Sequence, residues 1–443
     1  MYRSMWNPEM ETMTPDARRK METEKLGKQL AYVHASSEFY IRKFREAGVD
    51  PTGLRAPEEL ARLPFTTKAE LRESQDRCPP FGDFLATTAE KISRIHRTSG
   101  TTGKFLFTAL TRNDIRQTNE CGARAFWAGG LRPHHTVIHC FNYCLWAGGY
   151  TDHSSLETTG ASVVPFGVRN ANQLVRIVKE ARVNAISSVP TYPNYLENIV
   201  REELRMEPAE LGIKLGLFGG EPAMENADFR QRMEATWGMK ASNANYGMSE
   251  VLSNFASICD EGQVLHFLGN GAVLVQLIDP HSEEDVEIKP GQRGELVVTN
   301  LDREAQPLVR YRTRDVLDIL ATDPCVCGRT GFRFRVIGRS DDMLHVKGIN
   351  VFPSGVAMVL EKMIPGTNGE FQIVLRHPAP YERLHILVEA GSRSPGEGPE
   401  VLCREIEKRI QETLTFKADV ELVPPGSIAR TEMGKAIRVL REY

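Results

Sequence analysis

Between residues 90 and 250, short apolar runs rich in β-branched residues alternate with segments whose apolar residues recur at helical spacing. The strand candidates are HTVIHCF (135–141), ASVVPF (161–166), VNAISSV (183–189) and IKLGLFGG (213–220). Helix candidates lie at residues 170–183 and 229–238. Because a helix that follows each strand can cover a sheet of parallel strands, this alternation predicts a layered α/β domain.

The segments on either side of this region have other patterns. Residues 15–48 predict one helix that ends at Gly48, and residues 60–74 predict a second helix opened by Thr66 or Thr67 with Glu70 as capping partner. Strand candidates dominate about 262–338, which fits a barrel-like or sheet subdomain. Strands and one amphipathic helix in the last hundred residues predict a small α+β domain. We therefore expect an α/β fold, with an N-terminal domain over 1–338 and a C-terminal domain over 339–443.

Length and charge narrow the classes of protein that the chain can belong to. Its 443 residues suffice for two or three domains, and 41% apolar with 26% charged residues is typical of a globular protein. A net charge of −3 gives no basic field for nucleic acid, and no apolar run has the length of a membrane span. The first twenty residues lack the apolar core of a signal peptide. The sequence predicts a cytoplasmic protein that binds neither nucleic acid nor membrane.

A loop of small polar residues with one cation lies near the start of the α/β region, ahead of its first strand candidate. It contains Thr98, Ser99, Gly100, Thr101, Thr102, Gly103 and Lys104. Glycines let backbone N–H groups turn inward, hydroxyls add donors and the lysine adds charge, so such a loop suits a phosphate. The spacing differs from that of the P-loop of NTPases, because two residues separate the glycines and no Ser or Thr follows Lys104. On these residues alone, phosphate binding and a plain polar turn remain alternatives.

Further motifs follow in a fixed order. They are LFGGEP (217–222), NYGMSEV (245–251), PLVRYRTRD (307–315), GRSDDMLHVKGINVFPS (338–354) and ARTEMGKAIRV (429–439). Together with WNPEMETM near the start and TRNDI (111–115), this series resembles the phenylacetate–coenzyme A ligase family of the acyl-adenylate-forming superfamily over nearly the whole chain. The resemblance implies two steps. A carboxylate attacks the α-phosphate of ATP to give acyl-AMP and pyrophosphate, and coenzyme A then displaces AMP.

The resemblance implies roles for single residues. Lys435, Lys104 and Glu250 would be catalytic, with Glu250 as a ligand of Mg²⁺ that offsets phosphate charge. The other residues of the loop, Thr98 to Gly103, would also bind the nucleotide. The remaining nucleotide-binding residues would be Gly219, Gly220, Glu221, Asn245, Tyr246, Gly247, Ser249, Asp315 and Arg339. Tyr246 would stack on adenine, and Asp315 would accept hydrogen bonds from the ribose hydroxyls.

Each of these roles has a plain structural alternative on the residues alone. Tyr246 could be a core residue, and Glu250 and Lys435 could be solvated surface charges. Asp315 could pair with Arg312 or Arg314 in a salt bridge.

The start of the C-terminal domain would act as a hinge. Asp341 matches the hinge position of the family, so the resemblance implies a mobile small domain that rotates between the two half-reactions. Rotation would withdraw Lys435 and bring Lys347 and Gly348 towards the coenzyme A thiol. Lys347 stands where the family often has an arginine.

The acid would bind beside the segment CFNYCLWAGGYTDHSS, residues 140–155. The resemblance places Phe141, Trp146, Asp152 and Met248 in this pocket. The two aromatic residues would supply flat apolar area for an aryl ring, or belong to the core. If Asp152 and His153 reach the pocket, they would bind an amino or hydroxyl substituent.

Four residues could form a metal site. Three thiols and an imidazole suit tetrahedral Zn²⁺: Cys259, His266, Cys325 and Cys327. On spacing alone, free thiols and a surface histidine remain the alternative, while the resemblance favours a structural zinc. The other cysteines (Cys78, Cys121, Cys140, Cys144 and Cys403) are predicted to be free thiols.

The leading hypothesis is therefore a ligase of an aryl or arylacetic acid that uses ATP, Mg²⁺ and coenzyme A and holds a structural Zn²⁺. One alternative keeps the adenylation but transfers the acyl group to a carrier-protein thiol or an amine. A second is a non-catalytic nucleotide-binding homologue. The expected partner is a small carboxylic acid, and the resemblance also implies a homodimer.

Overall fold

The computed structural model describes residues 3–98, 105–168, 170–347, 349–391, 398–428 and 437–443. These residues form two compact units. The N-unit comprises the chain up to Thr313 together with Asp318–Arg335, and the C-unit comprises Arg314–Leu317 together with Val336–Tyr443. The strands Tyr311–Ala321 and Arg333–Arg339 each contribute residues to both units.

The N-terminal helices are α1 (Pro8–Glu11), α2 (Pro15–Ser36) and α3 (Glu38–Glu46). The prediction of one helix over 15–48 was wrong, because Ser37 has extended backbone angles (φ −113°, ψ 109°) and separates α2 from α3. This break lets α3 bury Phe39, Tyr40 and Phe44.

Helix α4 (Lys68–Arg77) begins where the capping pattern predicted. The Thr67 hydroxyl accepts from the Glu70 backbone N–H at 3.3 Å, and the Glu70 carboxylate accepts from the Thr67 backbone N–H at 2.8 Å. This reciprocal pair satisfies two N–H groups that a helix start leaves without partners. It places Lys68 at the first helical position.

The alternation of strands and helices in the middle of the N-unit is confirmed. A separate antiparallel pair, β1 (Ile92–Arg97) and β2 (Phe107–Thr111), precedes it. The elements that follow are α5 (Arg112–Ala128), β3 (Thr136–His139), α6 (Ala147–Thr158), β4 (Ser162–Pro165), α7 (Ala171–Glu180), β5 (Ala185–Ser188), α8 (Tyr192–Ile199), β6 (Leu215–Gly219), α9 (Ala227–Trp237) and β7 (Lys240–Met248). Strands β3 to β7 pair in parallel in the order β4-β3-β5-β6-β7.

The strands after β7 continue the same sheet. They are β8 (Leu252–Cys259), β9 (Gly262–Phe267), β10 (Val273–Ile278), β11 (Asp285–Val286), β12 (Arg293–Asn300), β13 (Tyr311–Ala321) and β14 (Arg333–Arg339). Twelve strands of the described chain form one sheet in the order β11-β10-β12-β13-β14-β9-β8-β7-β6-β5-β3-β4. The strand-rich part thus extends the parallel sheet. It begins at β8, ahead of position 262, since a tight turn after β7 reverses the chain.

The C-unit has the α+β architecture that its sequence predicted. Its elements are β15 (Leu344–Val346), β16 (Ile349–Val351), α10 (Pro353–Glu361), β17 (Thr367–Leu375), β18 (Leu384–Ala390), α11 (Pro399–Leu414), β19 (Ala418–Val423) and β20 (Val439–Arg441). Its described residues include a four-stranded sheet in the order β19-β18-β17-β20. The apolar face of α11, with Ile406 and Ile410, packs in one buried cluster with Phe371 and Ile386 of the sheet. In the part of the chain that the structure describes, no helix is long and apolar enough to cross a membrane.

Candidate active site

The carboxyl ends of β6 and β7 bring the predicted nucleotide residues together. Gly219 of β6 pairs with Asn245 of β7, and Gly220 follows with φ +83°. A Cβ atom at Gly219 would lie 2.3 Å from the Asn245 carbonyl oxygen, so a larger residue would separate the strands. In open α/β sheets, ligands bind at the carboxyl ends of the strands. Two separate motifs therefore form one strand-end surface.

Strand β7 continues into a distorted hairpin with β8. Tyr246 pairs with Ala256 and Met248 with Leu252, with an irregular register between the two pairs. A Cβ atom at Gly247 would lie 2.2 Å from the Ser253 carbonyl oxygen. Bulges of this kind redirect side chains and are common beside active sites.

Tyr246 lies in this hairpin with part of its surface exposed. Its ring contacts the rings of Phe255 and Phe334 edge-on, at centroid distances of 5.3 and 5.5 Å. These contacts fix the ring against the core while leaving it partly exposed. Glu221, by contrast, accepts a hydrogen bond from the Thr191 hydroxyl at 2.9 Å.

Glu250 is a buried carboxylate, 8% exposed, and is not a solvated surface glutamate. Lys68 Nζ lies 2.5 Å from its Oε1 atom, and the Tyr311 hydroxyl donates to the same oxygen at 3.4 Å. Lys68 is positioned by the α4 cap and Tyr311 by the start of β13. Lys68 supplies a positive charge and Tyr311 a hydrogen-bond donor, and both stabilise a carboxylate that burial would otherwise destabilise. Half-buried Ser249 and Met248 precede Glu250 in the turn.

In the C-unit, one predicted residue, Arg339, binds two others, Asp315 and Asp341. Arg339 Nη1 lies 3.1 Å from Asp315 Oδ1, and Nε and Nη2 of the same guanidinium donate to Asp341 at 3.0 and 2.9 Å. Burial lowers the pKa of Arg339, but the carboxylates of Asp315 and Asp341 outweigh burial and raise it. Arg312, one of the two arginines weighed as an alternative partner of Asp315, pairs with Glu295 at 2.8 Å.

Several predicted residues are only partly covered by the structure. Thr98 is buried, and it closes the base of the predicted phosphate loop by bonds between its backbone N–H and Leu106 O and between its hydroxyl and Leu106 N–H. Lys347 is exposed, with φ +49°, and lies 3.9 Å from Glu382. Outside the described residues lie Ser99, Gly100, Thr101, Thr102, Gly103, Lys104, Gly348 and Lys435.

Phe141 and Trp146 form an aromatic pair beside the strand-end surface. Their ring centroids are 5.2 Å apart with the planes tilted by 59°. Phe141 is buried and Trp146 is half-buried. A Cβ atom at Gly220 would lie 4.0 Å from Phe141 Cε1, so this pair adjoins the end of β6.

Asp152 and His153 are held by protein partners. The Asp152 carboxylate accepts from Asn245 Nδ2 at 2.5 Å and from the Ser253 hydroxyl. Burial raises the pKa of Asp152 to about 7, although both hydrogen bonds oppose the rise. His153 Nδ1 contacts the Tyr143 hydroxyl at 2.9 Å, and its Nε2 lies 3.2 Å from Glu157.

The four predicted metal-binding residues lie together. Their ligand atoms are all within 4.8 Å of one another, in the set Cys259, His266, Cys325 and Cys327. His266 Nδ1 lies 3.1 Å from the Val264 carbonyl, and a proton on Nδ1 leaves Nε2 as a lone-pair ligand directed at the thiols. A hydrogen bond from the Cys259 thiol holds the pKa of Cys327 below its usual value. The identity and proximity of the four donors fit zinc.

Comparisons with known proteins decide the family. The family model described as "AMP-binding enzyme" matches residues 42–301, and that described as "AMP-binding enzyme C-terminal domain" matches 348–442. The phenylacetate-coenzyme A ligase of Thermus thermophilus is 35% identical over 98% of this chain and 99% of its own length. The chain belongs to the phenylacetate-coenzyme A ligase family. The enzyme of the same name from Pseudomonas putida is 32% identical over 99% of this chain and 97% of its own length.

A solved structure supports the same assignment for the fold of this ligase. A 2-hydroxyisobutyryl-CoA ligase in the postadenylation state, in complex with R3-HIB-AMP, matches with a TM-score of 0.88 and 30% identity over 99% of this chain and 93% of that chain. The predicted family, fold class and enzyme class are confirmed. The chain is an AMP-forming acid–thiol ligase, which activates an acid as acyl-AMP and transfers it to coenzyme A.

Sequence analysis missed several residues of this ligase that the structure places against the predicted ones. They are Lys68 and Tyr311 at Glu250, Ser253 at Asp152, and Glu11 with Arg329 at the cysteine cluster. Arg329 Nε donates to Glu11 Oε2 at 2.7 Å, and both side chains are buried. The neighbouring Thr330 backbone N–H donates to the Glu11 carbonyl, so α1 is attached to the turn that carries Cys325 and Cys327.

Proposed function

We propose that the chain ligates an aryl or arylacetic acid to coenzyme A with ATP and Mg²⁺. The observation that carries the choice of acid is the pair of Phe141 and Trp146, of which the Phe141 ring adjoins Gly220 at the strand end. Flat aromatic surfaces at this place suit an aryl ring, since aromatic rings gain from tilted and offset contacts with one another. The named activity of the curated relatives supports the same acid class.

The nucleotide would bind over the ends of β6 and β7. Gly219 and Gly220 allow close approach of a ligand to the backbone, and Tyr246 would stack on adenine with its ring fixed by Phe255 and Phe334. The loop from Thr98 to Lys104 would hold the β- and γ-phosphates. Glu250 would hold Mg²⁺, which supplies neutralisation of phosphate charge when bound. The buried position of Glu250 supports a role that a solvated carboxylate would not need.

The C-unit would supply ribose binding, the hinge and the last catalytic lysine. Asp315 would accept from the ribose hydroxyls, and Arg339 would hold Asp315 and the hinge residue Asp341 at a fixed separation. We place the boundary of the mobile domain at 338/339, with Lys435 acting in adenylation and with Lys347 and Gly348 acting at coenzyme A. The short distances from Arg339 to both carboxylates support a shared role for these three residues.

A structural Zn²⁺ would be held by the cysteine–histidine cluster. Its four ligands would close the coordination sphere, which leaves no open position for catalysis. The cluster joins β8, β9 and the turn before β14, and that turn is also held by the pair of Arg329 and Glu11. Zinc would therefore stabilise the strand-rich part of the sheet.

The acceptor and the cellular setting complete the proposal. Coenzyme A takes the acyl group in the second step, and the carrier-protein thiol and the amine are set aside as acceptors. We place the ligase in the cytoplasm, because it uses ATP and coenzyme A, and we propose a homodimer, which light scattering on the purified protein would test.

The test is pyrophosphate release with ATP and Mg²⁺ over a panel of acids, with and without coenzyme A. The panel contains benzoate, phenylacetate, their amino and hydroxy derivatives, 2-hydroxyisobutyrate and acetate. We expect release that depends on one aryl acid and formation of its acyl-CoA when coenzyme A is added. Preference for 2-hydroxyisobutyrate or acetate would refute the aryl assignment. Release that never yields the thioester would refute coenzyme A as acceptor, and nucleotide binding without any release would indicate a non-catalytic homologue.

A further inference from the structure

The hairpin that carries the predicted adenine and magnesium residues has a defect in its pairing. Tyr246 pairs with Ala256 and Met248 pairs with Leu252. One residue of β7 therefore faces three residues of β8, positions 253–255. A bulge of this size removes ladder hydrogen bonds and leaves the local register weakly determined by the backbone. Something outside the ladder must define the shape of this hairpin.

A single carboxylate from α6 contacts both strands at the defect. Asp152 Oδ2 accepts from Nδ2 of Asn245, which directly precedes Tyr246 in β7. Asp152 Oδ1 accepts from the hydroxyl of Ser253, the first of the three extra residues in β8. A further side-chain bond runs across the hairpin from Asn254 Nδ2 to the Ala244 carbonyl at 2.8 Å. Asp152 thus bridges β7 and β8 where their backbone pairing is interrupted.

The buried surroundings of the Asp152 carboxylate lower the stability of the folded protein. Asp152 is 1% exposed, and burial raises its pKa to about 7 in spite of its two hydrogen bonds. Burying a carboxylate destabilises a protein unless its hydrogen bonds compensate. An apolar residue at this position of α6 would avoid the cost. The two short hydrogen bonds to opposite strands are the interaction that such a residue could not supply.

We propose that Asp152 is a positioning residue for the nucleotide site, acting through Asn245 and Ser253 on the β7–β8 hairpin. The bridge keeps the bulge in one shape, and this shape sets the orientation of the Tyr246 ring and the course of the chain from Gly247 to Glu250. The inference rests on the proposed function and replaces the expectation that Asp152 contacts the acid. Loss of the bridge would weaken the binding of ATP and would not change how the enzyme recognises a substituent of the acid.

The test compares D152N with the wild-type enzyme. The substitution keeps the size of the side chain, but an amide has a single acceptor oxygen and cannot accept through two oxygens from both Asn245 and Ser253. We expect the Kd of a non-hydrolysable ATP analogue, measured calorimetrically without acid, to rise by about 10-fold, and kcat of adenylation to fall by roughly 10- to 100-fold. The KM for ATP rises with Kd, while the KM for each acid stays within about two-fold.

A second variant and a control separate positioning from general destabilisation. S253A removes one of the two bonds with little change in size, so it should reproduce the same pattern more weakly, and it decides the question if D152N does not fold. D83N is the matched control, because Asp83 also accepts from a serine hydroxyl, that of Ser74, and has no place in the proposed site. We expect D83N to lower Tm without changing the Kd of the ATP analogue.

Two results would overturn the inference. An unchanged Kd and KM for ATP, with only Tm lowered, would make Asp152 a residue of fold stability alone. A KM for the acid that changes according to the ring substituent, with ATP binding intact, would return Asp152 to the acid pocket. A wild-type enzyme that forms no acyl-CoA with any acid refutes the proposed function, and the Kd of the ATP analogue still decides the role of Asp152.

Discussion

Lys68 Nζ lies 2.5 Å from Oε1 of Glu250, so the carboxylate proposed to hold Mg²⁺ is already paired with a cation of its own chain. Glu250 is 8% exposed, which makes its charge dependent on such a partner. The lysine comes from the first turn of α4, and the glutamate from the turn between β7 and β8. Two segments that are distant in the sequence therefore determine the net charge at the proposed Mg²⁺ position.

Replacing Lys68 with methionine should make the enzyme saturate at lower Mg²⁺ concentration. The substitution removes a cation that competes for the Glu250 carboxylate, so a divalent ion gains attraction there. We expect the half-saturating Mg²⁺ concentration to fall by about three- to ten-fold, with a stability loss of about 1–2 kcal/mol. Steady-state rates over a Mg²⁺ series measure the first effect. K289M, which removes an exposed lysine near Glu287, is the control and should change neither quantity.

Replacing Arg339 with methionine should impair the use of ATP. The guanidinium holds both Asp315 and Asp341, so its loss lets the proposed ribose ligand reorient. We expect kcat/KM for ATP to fall roughly 10- to 100-fold. Pyrophosphate exchange at varied ATP measures it. R376M, which breaks a distant and exposed pair with Glu442 in the same unit, should retain wild-type values. Equal loss in both variants would argue against the role of Arg339.

Replacing Trp146 with alanine should weaken binding of the acid alone. Trp146 is half-buried against Phe141, and it supplies aromatic area that alanine cannot replace. We expect the KM for the aryl acid to rise about 10-fold, with the Kd of the ATP analogue within about two-fold of the wild-type value. Y195A removes an exposed aromatic residue and serves as control. A rise in both constants would place Trp146 in the general architecture of the site.

Replacing Cys327 with serine should release the metal. We expect the wild-type protein to contain about one zinc per chain by elemental analysis, since its four soft ligands complete a tetrahedron. C327S should contain much less zinc and melt several degrees lower, because the ligands then tie three segments of the sheet less firmly. C403S, which changes a thiol of α11, should keep both zinc and Tm. Wild-type protein that contains no zinc as purified, and melts at the same Tm as C327S, would contradict a metal site.

The raised pKa of Asp152 predicts how the free energy of unfolding depends on pH. Its pKa is raised from 3.8 to about 7 in the folded protein, so between these values the folded state holds a proton that the unfolded state has lost. Stability from this group is therefore present below about pH 4 and is lost as the pH rises through 7. D152N lacks the effect, so the free energy of unfolding of D152N minus that of the wild-type protein should increase from pH 5 to pH 7.5. Urea titrations at both values measure it.

D83N should show no such increase over this range and an opposite dependence in acid. Burial raises the pKa of Asp83, but the bonds from Ser74 and Arg42 outweigh burial and lower it. The wild-type protein thus loses this contribution as the pH falls through the lowered pKa, and D83N does not. The same slope in both variants between pH 5 and pH 7.5 would show that the differences come from the solvent conditions and not from these carboxylates.

Local patterns of the sequence predicted the elements that depend on neighbouring residues. The cap of α4 is one case, because Thr67 and Glu70 are three positions apart and bond to each other's backbone. The alternation that gives the parallel sheet is another, since each strand is followed by its own helix. The break at Ser37 was missed because the apolar spacing on both sides is helical, and only burial of Phe39 and Tyr40 shows why the chain turns there.

The supporting residues of the site could not be predicted in the same way. A motif identified Glu250 and the predicted pocket segment identified Asp152, but their partners Lys68 and Ser253 are distant in sequence and carry no pattern of their own. A lysine in the first turn of a helix is ordinarily solvated, and a serine in a strand is common. Whether such a lysine or serine contacts a buried carboxylate depends on how the whole sheet packs. Local patterns of the sequence do not contain this information.

The buried pair of Glu11 and Arg329 has a consequence for how the family can vary. These residues are 318 positions apart, yet each is the charge partner of the other in a site closed to water. Loss of either leaves the other buried ion without its oppositely charged partner, which is more harmful than loss of both. The two positions should therefore be inherited as a pair. In a set of related sequences, an uncharged residue at one should coincide with an uncharged residue at the other, so the first helix and the cysteine turn evolve together.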